Sequence, residues 1–137
     1  MPRRSRKPAR PTTCPCGSGA AYAACCGRFH SGAAKAPTAE ALMRSRYSAF
    51  AVGDEAYLLR TWHPETRPER VDLAADGRTW TGLEILEVTG GTPLHTSGTV
   101  RFRAHYTDGE GPGSQTENSV FERFGGDWLY VDALAFE

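Results

Sequence analysis

From Thr38 onward, apolar and polar positions follow two rhythms, first helical and then extended. Ala39, Leu42, Met43, Tyr47, Phe50 and Ala51 recur at the three- and four-residue steps that place them on one face of a helix. Thr38 stands where an N-cap hydroxyl is needed, Glu40 falls in the first turn, and Gly53 supplies the stop. Asp54 caps a second helix, with Tyr57, Leu58 and Trp62 as its apolar stripe and Pro64 as its end. Residues 66–73 predict one more short helical turn, ahead of a chain reversal at Asp76-Gly77. The period then drops to two. Val100, Phe102, Ala104 and Tyr106 alternate with Arg101, Arg103 and His105, the pattern of a strand with one buried face. Further strands are predicted over 79–88, 114–124 and 128–134, with 108–113 and Gly125-Gly126-Asp127 as hairpin loops. Two helices followed by a run of antiparallel strands is an α+β order.

The segment before Thr38 follows neither rhythm, and it holds all four cysteines, in Cys14-Pro15-Cys16-Gly17-Ser18-Gly19 and Cys25-Cys26-Gly27. Zn²⁺ accepts four thiolates tetrahedrally, so two close pairs on facing turns can wrap one ion. Gly17 and Gly19 permit the turns that bring Cys14 and Cys16 round a centre, and residues 20–24 favour a helical turn that delivers Cys25 and Cys26. Two disulfides, or four buried apolar thiols, are the alternatives. Residues 1–13 carry five basic side chains and no apolar run, which reads as a chain without an export signal and therefore as a reducing, cytoplasmic setting. That favours zinc, one structural ion per chain with no open position. Its formal charge of −2 with four thiolates asks for donors nearby, and the N–H groups of the glycine turns and Arg28 are the candidates.

The run Cys-Pro-Cys-Gly-Ser-Gly-x-x-Tyr-x-x-Cys-Cys-Gly resembles the SEC-C motif, named for the zinc-binding tail of the bacterial preprotein translocase motor. The resemblance implies Cys14, Cys16, Cys25 and Cys26 as ligands and leaves His30 without a metal role. Beyond it, residues 38–50, 57–64, 80–83 and 128–132 are similar to the bacterial YchJ-like family of uncharacterised proteins. Membership implies a zinc knuckle ahead of a nuclear-transport-factor-2-like (NTF2-like) cone, in which N-terminal helices pack on a curved antiparallel sheet. Some members carry a second knuckle at the C-terminus. No cysteine follows Cys26 here, so one metal site is expected.

Four segments follow: a basic arm over 1–13 expected to be disordered, the knuckle over 14–30, a flexible linker over 31–37, and the cone over 38–137. Knuckle and cone are expected to be thermodynamically separable. Composition adds charge asymmetry: Arg3, Arg4, Arg6, Lys7 and Arg10 precede Cys14, leaving 11 basic and 16 acidic residues for the rest of a formally neutral chain. Such an arm binds nucleic acid only weakly. No apolar stretch approaches the ~20 residues that span a bilayer, so no membrane partner is expected.

The chemistry is less sharply written. No phosphate loop, His-Glu-x-x-His helix or nucleophile elbow is present, so catalysis is not the preferred reading. Polar residues able to line the cone are Arg46, Tyr47, His63, Tyr106, Glu117 and Asp132, with Trp62, Trp80 and Trp128 as apolar walls. His63 reads as a helix C-terminal dipole partner, His105 as surface, and Glu117 and Asp132 as ion-pair partners of Arg101, Arg103 or Arg123. The preferred function is a cytoplasmic zinc-binding adaptor whose knuckle docks an unidentified protein, one on the ribosome among the options, through Tyr22, Arg28 and Phe29. A small-molecule-binding protein or enzyme using the cone is the second reading. A ribosome- or RNA-associated factor is the third. Related folds also suggest a homodimer through the outer face of the sheet.

Overall fold

A computed structural model describes residues 12–73 and 77–136, so most of the basic arm, and Asp76 of the expected turn, lie outside the described residues. Thr12 and Thr13, assigned to the arm from sequence, instead pair with the knuckle. The Tyr22 N–H donates to the Thr12 carbonyl at 3.0 Å, and Thr13 bridges Ala21.

A single 3₁₀ turn, Tyr22–Ala24, leads into α1 (Cys26–His30). Helix α2 (Ala39–Val52) starts and stops as its sequence directs: the Thr38 hydroxyl accepts from the Ala41 N–H at 3.0 Å, and Gly53 turns left-handed at φ 80°. Its buried arc is wider than one stripe. Ala51 is exposed, whereas Ser45, Arg46, Ser48 and Ala49 are buried, because α2 is covered on two sides, by the sheet and by the knuckle. Helix α3 (Glu55–Arg60) takes its cap from the Asp54 carboxylate, which accepts from the Tyr57 N–H at 3.1 Å. It ends before Trp62. There the backbone joins the sheet edge, the His63 N–H donating to the Tyr130 carbonyl at 2.7 Å and the Tyr130 N–H to that of Thr61 at 2.8 Å. The expected helical turn over 66–73 does not form. The Val71 N–H donates instead to the Glu55 carboxylate at 2.8 Å, and Val71 and Leu73 pack beside Phe29, Tyr57 and Leu58.

Strands β1 (Thr79–Gly90), β2 (Ser97–Asp108), β3 (Gly111–Phe124) and β4 (Asp127–Phe136) form one antiparallel meander in chain order. The expected loop over 108–113 shrinks to Gly109-Glu110, since Asp108 already pairs with Gly111. Register shifts in β1, and opposite residues 118–121 of β3, bend the sheet. Leu42, Met43 and Tyr47 of α2 fill its concave face against Val100, Phe102 and Phe121, giving the α+β cone.

The segment over 31–37 is fastened rather than flexible. Lys35 pairs with Asp127 at 3.0 Å, Trp128 Nε1 donates to the Pro37 carbonyl at 3.1 Å, and Ala34 and Ala36 pack on the hydrophobic clusters.

Candidate functional site

The four cysteine sulfurs converge, all within 4.8 Å of one another, with Cys14, Cys16 and Cys26 buried and Cys25 half-buried. None is disulfide-bonded. Cys16 and Cys25 are 3.7 Å apart, against an edge of about 3.8 Å for a tetrahedron of thiolates around Zn²⁺ at ~2.3 Å. The donor set therefore fits a structural ion. Electrostatics agree. A hydrogen bond from Cys26 pulls Cys16 down to about 4, the same bond pushes Cys26 up, and burial pushes Cys25 up. A divalent cation there would hold all four as thiolates.

The supporting groups are partly those expected. Gly17 and Gly19 take φ of 85° and 86°. Arg28 does not reach a sulfur; its Nε donates to the Cys25 carbonyl at 3.1 Å. The hydroxyls of Ser18 and Ser48 lie 3.2 Å from Cys25 Sγ and 3.5 Å from Cys14 Sγ, and Arg44 donates to the Cys16 carbonyl at 2.9 Å. Ser48 and Arg44 belong to α2, so the body helps to hold Cys14 and Cys16 in place.

Docking overturns the expected surface of the knuckle. Tyr22 and Phe29 are only 4% and 7% exposed, and of the three residues assigned to a partner Arg28 alone is exposed. His30, which the motif leaves without a metal role, joins the parts. Its Nε2 donates to the Ser45 carbonyl at 2.8 Å, which leaves Nδ1 to accept from the Tyr22 hydroxyl, and its ring lies 4.6 Å from that of Tyr57. Arg60 of α3 adds bonds to the carbonyls of Phe29 and His30 at 3.1 and 3.0 Å.

Close approach explains the last glycine of the motif. A methyl on Gly27 would lie 2.7 Å from the Tyr22 carbonyl oxygen and 3.1 Å from its ring. Because the backbone atom cannot yield cheaply, Gly27→Ala is expected to cost about 1–3 kcal/mol, a fall of roughly 4–10 °C in Tm. Thermal unfolding by circular dichroism measures it; an unchanged Tm would mean that the knuckle is loosely packed at this turn.

Inside the cone a cavity of about 250 Å³ separates α2 from the sheet. Three of the six polar residues assigned to the cone from sequence line it, Arg46, Tyr47 and Glu117, together with the Trp62 wall. Of the assigned walls, Trp80 lines it as well, while Trp128 lines a second cavity, of about 260 Å³, under the linker. His63, Tyr106 and Asp132 do not line the cone. The early end of α3 carries His63 to the sheet edge, its ring 5.1 Å from Phe124. Tyr106 meets Trp80 edge to face beneath Arg78. Asp132 is turned outward by a one-residue irregularity in β4: Tyr130 faces Phe121, but Asp132 faces Val120, so the alternation reverses between them.

Glu117, 9% exposed, is not paired with Arg101, Arg103 or Arg123; its Oε2 accepts from the Ser119 hydroxyl and, at 3.5 Å, from that of Tyr130. Arg103 is instead held by Glu84 and Thr116, and Arg123 by the carbonyls of Pro93 and His95. Burial pushes Tyr47 up to about 12 and Tyr130 higher still, so both hydroxyls keep their protons at neutral pH. Arg78, Gln115, Ser119 and Tyr130 complete the polar lining and were missed from sequence. A signal existed: Gln115, Glu117, Ser119 and Phe121 share one face of β3, and polar residues on a buried face mark a lined space.

The comparisons agree with this architecture. Residues 38–133 match the family described as "YchJ, middle NTF2-like domain", and residues 10–28 match the SEC-C motif. A UPF0225 protein of Streptomyces avermitilis is 58% identical over 141 residues, covering 98% of this chain and 97% of the relative. One from Deinococcus radiodurans is 48% identical over 88% of this chain and 87% of its own. Among solved structures, a SEC-C motif containing protein from Rhodopseudomonas palustris superposes with a TM-score of 0.79 at 32% identity, over 91% of this chain and 99% of that one. Another from Psychrobacter arcticus gives 0.73 at 28% identity, over 88% and 80%. With a SEC-C knuckle of four clustered cysteines ahead of an NTF2-like cone, and relatives matched nearly end to end, the chain belongs to the YchJ-like, UPF0225 family.

Proposed function

We propose that this protein binds a small molecule in its cone and that the knuckle is a structural zinc site, one ion per chain, bracing the helix that lines the cavity. The observation that carries the reading is the cavity itself. A cone serving only as scaffold can be filled by its aromatic side chains, yet here Arg46 and Glu117, both nearly buried, line a space of about 250 Å³. Keeping charged groups in an apolar interior is costly unless a partner answers them. The volume lies just below the ~300–1,000 Å³ of drug-sized sites, which suits a smaller molecule. Zinc is supported by the all-thiolate set and its spacing, and free thiols suit a reducing cytoplasm. The adaptor reading loses support, because burial removes Tyr22 and Phe29 from contact and leaves it Arg28.

Titrating a mixture of small aromatic acids, alcohols and amines against the labelled protein tests the reading. Binding should shift the indole N–H resonance of Trp62, which lines the cavity, and leave that of Trp128, bonded to Pro37, in place. No shift at Trp62 with any member, at concentrations up to roughly 10 mM, would overturn it.

A further inference from the structure

The polar groups lining the cone are unbalanced, and the imbalance names a chemistry. Arg46 lies 5% exposed on α2, its guanidinium carbon 4.9 Å from the Trp62 ring centroid and 4.5 Å from that of Tyr130. Its Nη1 donates to the Leu58 carbonyl and the Thr61 hydroxyl, each at 2.8 Å. Among the described residues, Nε and Nη2 take no hydrogen bond. Trp62 Nε1, in the same wall, is a buried donor with no acceptor. Gln115 receives Arg78 on its Oε1 at 2.9 Å, which leaves its amide N–H groups available. Opposing these donors stands Glu117, the one carboxylate among the lining residues, already accepting from Ser119 and Tyr130.

What this cavity lacks is an acceptor, and one bearing negative charge. One guanidinium with an unused edge, beside one carboxylate already in the cavity, suits a monoanion over a dianion. The Nε–Nη2 edge of a guanidinium is a planar fork that matches the two oxygens of a carboxylate. Around it the walls are aromatic, Trp80, Phe50, Phe102 and Phe121 among them, which favours a flat apolar body. Burial alone lowers Arg46 to about 10, the mark of a cation held away from water without full compensation.

Resting on the cavity reading above, we infer that the ligand is a small aromatic monocarboxylate, bound with its carboxylate on the Nε–Nη2 edge of Arg46 beside the Trp62 N–H. Glu117 keeps its oxygen on the Ser119 and Tyr130 hydroxyls and limits the site to a single negative charge.

Benzoate, benzamide and phenyl phosphate test this on the full-length, zinc-loaded protein, by calorimetry for affinity and by the Trp62 N–H shift for location. Benzoate should bind with Kd of roughly 0.1–1 mM, with benzamide and phenyl phosphate at least about tenfold weaker. Arg46→Lys keeps the charge but loses the fork, and should weaken benzoate about tenfold while leaving benzamide unaltered. Because Arg46 also bonds the end of α3, Glu117→Gln provides an independent sign: removing the like charge should tighten benzoate roughly threefold or more. Benzamide binding as well as benzoate at Trp62 would overturn the anion inference while leaving the cavity reading intact. Phenyl phosphate binding more tightly than benzoate would overturn the carboxylate. So would a Glu117→Gln protein that binds benzoate no better. Failure of all three probes to shift Trp62 would count against the cavity reading as well.

Discussion

Stripping the metal with a strong chelator, or replacing Cys16 with serine, is expected to lower the stability of the whole protein and not of the knuckle alone. Circular dichroism should show one cooperative transition, displaced downward by roughly 10 °C or more, with about one equivalent of zinc released in the chelation experiment. The reason is the seam between knuckle and α2. Cys14 Sγ lies against the Ser48 hydroxyl, the Cys16 carbonyl receives Arg44, the Ser45 carbonyl receives His30, and Val52 packs on the cysteine cluster. If the cysteines part, α2 loses its second covering layer, and buried Ser45, Ser48 and Tyr57 lose the packing around them. Helix α2 also carries Leu42, Met43 and Tyr47 into the cone, so its loosening reaches the central core. Separate modules would behave differently, with the body melting within a few degrees of the holo protein after the knuckle is lost. That result would show the seam to be superficial.

How much of this was legible in advance depended on whether the signal was local. The caps of α2 and α3 were readable because Thr38, Gly53 and Asp54 act within a few residues of themselves. The strands were readable from period-two alternation, and Val100, Phe102 and Ala104 do face the core. The cysteine cluster was readable because ligand spacing is a short-range property, and the four sulfurs do converge. The misses on α2 and in the linker involved something arriving from far along the chain. Ser45 and Ser48 break the apolar stripe of α2, yet they are fully buried because knuckle residues 15 and 34 positions earlier, His30 and Cys14, lie against them. The linker looked flexible by composition, but its fastenings, Asp127 and Trp128, lie some 90 residues downstream.

The cone shows the same division more finely. Arg46 and Tyr47 could be assigned from sequence because they sit on the helix that faces the sheet. Asp132 could not, since a single extra residue in β4 reverses which way the strand's side chains point, and alternation counted along the chain carries no mark of it. Glu117 lies on the expected strand but without the expected partners. Cross-strand charges suggested arginines, whereas the register puts Glu117 opposite Phe102 and Phe136 and turns it to the hydroxyls of Ser119 and Tyr130. So small a metal module is expected to have no interior, which would put Tyr22 and Phe29 on its surface. Both are buried because the module borrows the interior of the body.

His30 is the residue through which that borrowing is most directly tested. His30→Ala removes the bond to the Ser45 carbonyl, the bond to the Tyr22 hydroxyl and a ring packed between Tyr22 and Tyr57. Two hydrogen bonds at about 1 kcal/mol each and a truncated, partly buried ring amount to roughly 3 kcal/mol, or on the order of 10 °C in Tm. His30→Phe keeps a ring while losing both nitrogens, and should recover part of that fall. Zinc content separates this effect from ligand loss: neither variant touches a cysteine, so each should retain one equivalent. The two perturbations should also fail to add. Chelation and His30→Ala both act on the seam, so His30→Ala should lower the Tm of the chelated protein far less than that of the holo protein. A His30→Ala protein melting within about 2 °C of the parent would show that the histidine is decoration on an interface held elsewhere. Full additivity with chelation would show that the metal acts on the knuckle alone.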